Sequence, residues 1–197
     1  MQRPFLVLYG LLVYLLFNAS FVYLAGFLQE FGVPKAINDG VVVSTAEALA
    51  VNLLLVFLFG FFHSLMAREG FKRWWTRFVP EEAERSTYVL QSALFLFLAM
   101  WQWRPMPEVI WQLDGLFAVA MTSLFGVGMR VVLTSTFLLD HFELFGIKQV
   151  WFASKGEPMP EARFREPLLY RIVRHPMQLR VIITVFATPQ MTVGHMV

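Results

Sequence analysis

Long apolar runs alternate with short polar stretches along the whole chain. Residues 5–28 form the first run, about 24 residues broken only by the polar side chains of Asn18 and Ser20. At about 1.5 Å per helical residue, that is enough to cross a hydrocarbon core of about 30 Å. It is too long for the core of a signal peptide and has no clear cleavage site, so a retained span is expected. The pattern predicts further spans at 42–66, 86–103 and 113–139. A fifth apolar segment covers 181–197 and is broken by Pro189. The polar connections lie at 29–41, 67–85, 104–112 and 140–180. This predicts an all-α fold: a polytopic membrane helix bundle of four full spans plus a fifth C-terminal segment. One integral membrane domain, 1–197, is expected, without internal repeats.

The charges give the bundle a direction. Lys and Arg number five in 67–85 and seven in 140–180, and one each in the N-terminal stretch, 29–41 and 104–112. Cytoplasmic loops collect Lys and Arg. The N-terminus and loops 67–85 and 140–180 are therefore expected in the cytosol, and Trp74 and Trp75 suit a membrane interface. A bacterial inner membrane is the expected location, with lipids as neighbours and no nucleic-acid partner.

Composition agrees. Hydrophobic residues make up 57% of the chain and charged residues 15%, against about 25% in soluble domains. Cysteine is absent, which removes disulfides, thiolate metal ligands and a cysteine nucleophile.

Four places carry candidate chemistry, and each has two readings. Of the four histidines, His63, His141, His175 and His195, two on facing spans could ligate a haem, or they are interfacial side chains satisfied by neighbours. No spacing suits zinc or a di-iron centre, so no metal is expected. Arg130 interrupts the fourth span. It either meets an anionic group or snorkels to the interface. Asp140, His141 and Glu143 either move protons or end a helix in water. Arg171, Arg174, His175 and Pro176 form a cationic patch before the last segment. Pro176 keeps His175 out of helical geometry, and the helix start beyond it could bind an anion. The other reading is a basic flank that binds lipid headgroups.

Together these residues carry a resemblance. Tyr170-Arg171-Ile172-Val173-Arg174-His175-Pro176 resembles the Arg-His-Pro segment of isoprenylcysteine carboxyl methyltransferase-like membrane proteins. The methanethiol S-methyltransferase branch is the more similar one. It shows His-Ser-x-Met-Ala-Arg, here His63 to Arg68, and Pro-x-x-x-Glu-Arg-x-x-Tyr, here Pro80, Glu84, Arg85 and Tyr88. It also shows a run like Asp140 to Trp151, and Ala-Thr-Pro-x-Met-Thr-x-Gly-His, here Ala187 to His195.

The resemblance implies a membrane methyltransferase that moves a methyl group from S-adenosylmethionine to a small thiol, methanethiol, giving dimethyl sulfide. It places the cofactor at the cytosolic end, with Tyr170, Arg174, His175, Pro176, Arg130 and Gln149 around it. His141 or His175 is then a candidate base. A sulfonium donor is already activated, so the protein mainly has to align the partners and exclude water. The family continues beyond a point equivalent to Val197, so a truncated chain with weakened cofactor binding is expected. Pro176-Met177-Gln178-Leu179-Arg180 also stands where the family has Pro-Leu-Tyr-Leu-Gly. The alternatives are another lipophilic thiol or carboxylate acceptor, or a non-catalytic membrane component similar to denitrification-associated proteins.

Overall fold

The computed structural model describes residues 3–160 and 184–197. Three long helices dominate: α1 (Arg3–Gln29), α2 (Thr45–Ala67) and, later in the chain, α5 (Gly115–Leu138). Among the described residues, these three are long and apolar enough to cross a membrane. Their outer surfaces are apolar too. Leu12, Leu15 and Val22 on α1, Leu53 and Phe57 on α2, and Leu116, Phe117 and Val119 on α5 are exposed. So much apolar surface is unfavourable in water and suits contact with lipid. The chain is an integral membrane protein.

Between these helices lie α3 (Glu69–Trp75), α4 (Glu81–Gln102) and a strand, β1 (Val109–Gln112). After α5 come α6 (His141–Leu144), α7 (Ile147–Lys155), β2 (Gln190–Thr192) and α8 (Val193–Met196). The 22 residues of α4 extend for about 33 Å. Its first turn holds Glu81, Glu82 and Glu84, which favour the positive end of the helix dipole. Ala83, Ser86, Val89, Ala93 and Met100 form its buried side. Most of these side chains are small, which lets neighbouring helices approach closely.

The chain forms two compact units. The described part of the first comprises 3–24, 53–102 and 140–160. Its core has two clusters, Leu6 with Ala83 and Val150, and Val13 with Val89 and Phe145. α7 thus packs on α1 and α4. Gly10 permits this contact, since a Cβ there would fall 2.6 Å from Val150 Cγ2.

The described part of the second unit comprises 25–52, 103–139 and 184–197. Asn52 is fully buried and clamps the backbone N–H and C=O of one residue. Its Nδ2 donates to the Arg104 carbonyl at 2.8 Å, and its Oδ1 accepts the Arg104 N–H at 2.9 Å. β1 and β2 pair antiparallel, with Val109 opposite Thr192 and Gln112 opposite Gln190.

Two elements differ from the hydropathy pattern. The turn expected at 104–112 contains β1. The described part of the apolar segment at 181–197 is helical only at 184–186 and again in α8. Pro189 has no N–H to continue a helix, and its carbonyl accepts the Leu113 N–H at 2.9 Å. Met191 and Thr192, which follow, are fully buried where β2 pairs with β1.

Candidate functional site

The first unit holds its polar groups where α6 and α7 meet α1 and α4. The turn into α6 begins at Asp140, a non-glycine residue in the left-handed region, with φ 74°. Asp is one of the few residues that tolerates this. Its Oδ1 accepts the Glu143 N–H at 3.3 Å, and its other oxygen pairs with Lys148. Gly146, also left-handed with φ 84°, begins α7. A Cβ there would fall 2.6 Å from Ser86 Oγ and 2.7 Å from Ser86 N, so only glycine fits. Arg85 adds a further tie, its Nε donating to the Leu144 carbonyl at 2.8 Å.

This turn directs His141 inward. Its ring is buried, its Nε2 lies 2.7 Å from the Tyr14 hydroxyl, and it packs edge-on against Phe142 and Phe145. Burial disfavours the charged imidazole and lowers its pKa, so the ring is neutral at pH 7. On α7, Gln149 Nε2 donates to the Glu143 carbonyl at 3.1 Å. Gln149 Oε1 is buried with no hydrogen-bond partner. An unpaired buried acceptor costs about 1–3 kcal/mol and is suited to a donor brought by a ligand.

The structure therefore brings His141 and Gln149 into one unit, joined through Asp140 and Glu143 of the same turn. Arg130 belongs to the second unit, on α5, where it is exposed eight residues before the helix end. Tyr170, Arg174, His175 and Pro176 lie outside the described residues.

The first unit also contains a second His–Tyr pair, formed by two residues that the sequence motifs place apart. His63 Nε2 on α2 is 2.7 Å from the Tyr88 hydroxyl on α4. His63 Nδ1 is 3.1 Å from Ser92 Oγ. The Arg85 guanidinium lies 5.2 Å from the centre of the Tyr88 ring. The signal was present in part, because Arg85, Tyr88 and Ser92 are spaced to share one helix face. Their partner on α2 was not legible.

His195, in the second unit, is a structural hub. Its Nε2 donates to the Leu28 carbonyl at 3.1 Å, and its Nδ1 accepts the Thr192 N–H at 3.3 Å. The Thr192 hydroxyl lies 3.0 Å from Asn38 Oδ1.

No protein-family model matches the chain, and no solved structure matches it. Its curated relatives are informative. A methanethiol S-methyltransferase of Mycobacterium tuberculosis is 47% identical over all 197 residues, which cover 81% of that protein. Methanethiol S-methyltransferase 2 of Bradyrhizobium diazoefficiens is 45% identical over 194 residues, 98% of this chain and 75% of the relative. Nurim of Bos taurus is a more distant relative, 28% identical over 179 residues, 84% of this chain and 68% of that protein. With near-complete coverage at this identity, and with the membrane helices and polar turn described above, the chain belongs to the methanethiol S-methyltransferase family of integral membrane enzymes.

Proposed function

We propose that this protein transfers a methyl group from S-adenosylmethionine to methanethiol, releasing dimethyl sulfide. Family membership is the observation that carries this reading. The geometry supports it with an orphaned, buried acceptor, Gln149 Oε1, beside a polar turn. That oxygen suits the amino groups of S-adenosylmethionine. Tyr170, Arg174, His175, Pro176 and Arg130 are assigned to the same donor on the strength of the resemblance. When bound, the donor supplies an electrophilic methyl group on a positively charged sulfur.

The remaining tasks fall to the chain itself. His141 is enclosed by Tyr14, Phe142 and Phe145. We read it as a positioning residue that fixes α6, and through Glu143 fixes Gln149. Its neutral ring places no second positive charge beside a cationic donor. The aromatic wall around it excludes water, which keeps a charged donor and a nucleophile from being solvated apart. The excess of Lys and Arg in 67–85 and 140–180 supports a cytosolic position for this turn in a bacterial inner membrane.

The test is headspace detection of dimethyl sulfide from membranes that contain the chain and receive both methanethiol and S-adenosylmethionine. Product that requires both additions is expected. No product from membranes in which the folded protein is demonstrated would overturn the proposal.

A further inference from the structure

Gln91 is the most anomalous polar residue in the first unit. It lies ten residues into α4, about 15 Å along the helix, near its middle. Both its amide nitrogen and its amide oxygen are buried, and neither has a hydrogen-bond partner. An amide with nothing to bond is costly in an apolar interior, and a buried polar group left unpaired calls for an explanation, such as a ligand that completes it. Gln91 is one turn from Tyr88, at the i, i+3 spacing that puts two side chains side by side.

The Tyr88 hydroxyl lies 2.7 Å from His63 Nε2 and 3.2 Å from its Nδ1, and the neighbouring hydrogen bonds favour one direction for its proton. The Ser92 hydroxyl donates to the Tyr88 carbonyl at 3.0 Å. Its oxygen is then left to accept from His63 Nδ1–H at 3.1 Å. With the proton on Nδ1, the Nε2 lone pair accepts the Tyr88 hydroxyl at 2.7 Å. The phenol thus already points its proton at a base. Arg85, above the ring, is the charged group that faces both Tyr88 and His63, and Glu84 also acts on Tyr88. Phe59 stacks on His63 and Phe62 stacks on Phe95, which supplies apolar surface for a methyl group. His63 and Tyr88 are half-buried, while the amide atoms of Gln91 are closed off from solvent.

We infer that the acceptor thiol binds here, with Gln91 holding its sulfur and Tyr88, relaying to His63, taking its proton. The inference rests on the methyltransferase reading and adds the acceptor side of the site. As the S–H bond breaks, an O–H bond forms on Tyr88 and the phenol's own proton passes to His63 Nε2. The thiolate electron pair forms the new S–C bond, and the pair of the broken methyl–donor bond stays on the departing sulfur. The imidazolium then gives its proton to water. Arg85 links this site to the donor turn, since it contacts both the Tyr88 ring and the Leu144 carbonyl.

The test compares the full chain with Tyr88→Phe, His63→Gln and Gln91→Leu, all reconstituted in lipid. Dimethyl sulfide formation is followed against thiol concentration and pH. Thiol binding without any methyl donor is followed by the infrared S–H stretching band. Tyr88→Phe should lower kcat about 100-fold or more at neutral pH, with little change in KM. His63→Gln should lower kcat in the same direction. Both deficits should shrink as pH rises towards ionisation of the thiol itself. Gln91→Leu should raise KM for methanethiol about 10-fold, leave kcat nearly intact and abolish the change in the S–H band. It should also raise the melting temperature, because it removes an unpaired amide. A merely structural His–Tyr contact would shift melting temperature without this split. Should Tyr88→Phe fail to fold, Gln91→Leu still decides the matter. Wild-type kinetics and a wild-type shift of the S–H band in Gln91→Leu, beside an active wild type, would refute the site. A wild type that shifts the S–H band yet makes no dimethyl sulfide would refute the methyltransferase reading and keep the thiol site.

Discussion

Protonating His195 adds a proton at a nitrogen that already has a donor facing it. In the folded protein Nε2–H is committed to the Leu28 carbonyl, and Nδ1 accepts the Thr192 amide. A proton on Nδ1 would lose the Thr192 N–H bond and leave only the Thr192 hydroxyl oxygen, 2.9 Å away, to accept it. Burial is the main cause of the lowered pKa, and it outweighs the Leu28 hydrogen bond and Glu30, which both act to raise it. The sign follows directly. The unfolded chain, with a His pKa near 6.5, binds this proton more readily than the fold does. Stability is therefore complete above about pH 6.5 and falls as pH drops below it. His141, lowered by its own burial, acts in the same direction. Melting temperature should decline between about pH 7 and pH 5, and His195→Gln should flatten that decline without removing it. An equal slope in both proteins would show that His195 is not a titrating lock. At this scale the sequence identified residue types but not partners. His141 and Gln149 were legible as candidates from their motif. The roles of His195, Asn52 and Gln91 depend on which atoms lie opposite them, and no spacing in the chain reveals that.

At the scale of elements, the attachment of α7 to α4 turns on Gly146. Its left-handed φ is unfavourable for any side chain, and its missing Cβ is where Ser86 sits. Gly146→Ala should cost about 2–4 kcal/mol from strain and overlap together. It should also weaken donor binding, because Gln149 moves with α7. Gly115→Ala is the control. Gly115 also has a positive φ, 56°, but a Cβ there would meet nothing within 4 Å. Strain alone should cost it about 1 kcal/mol, read in each case as a shift in the denaturation midpoint. Equal losses at the two positions would contradict the packing argument. The apolar runs made the long helices legible, with limits that have a physical cause. α4 begins at Glu81, five residues before its apolar run, because acids that favour a helix start count against hydropathy. β1 and β2 escaped because a strand of three or four residues is too short to show a period, and next to apolar runs it looks the same as part of a span or turn. α3, read from sequence as loop, carries the aromatic group of Phe71, Trp74 and Trp75, which suits the membrane interface.

For the whole molecule, the charge asymmetry predicts an orientation, and the absence of cysteine makes it simple to check. Val41 and Arg77 are both exposed. In intact cells, a membrane-impermeant maleimide should label Val41→Cys, and should label Arg77→Cys only after permeabilisation. The reverse pattern would invert the topology and put the donor turn on the wrong side of the membrane for a cytosolic cofactor. The central claim is the transfer itself, and it is tested most directly by following the methyl group. The reconstituted chain would receive unlabelled methanethiol and S-adenosylmethionine whose sulfonium methyl carries deuterium, with the released gas analysed by mass spectrometry. Dimethyl sulfide with one deuterated and one ordinary methyl group is the predicted product. Unlabelled dimethyl sulfide, or none from folded protein, would contradict the account.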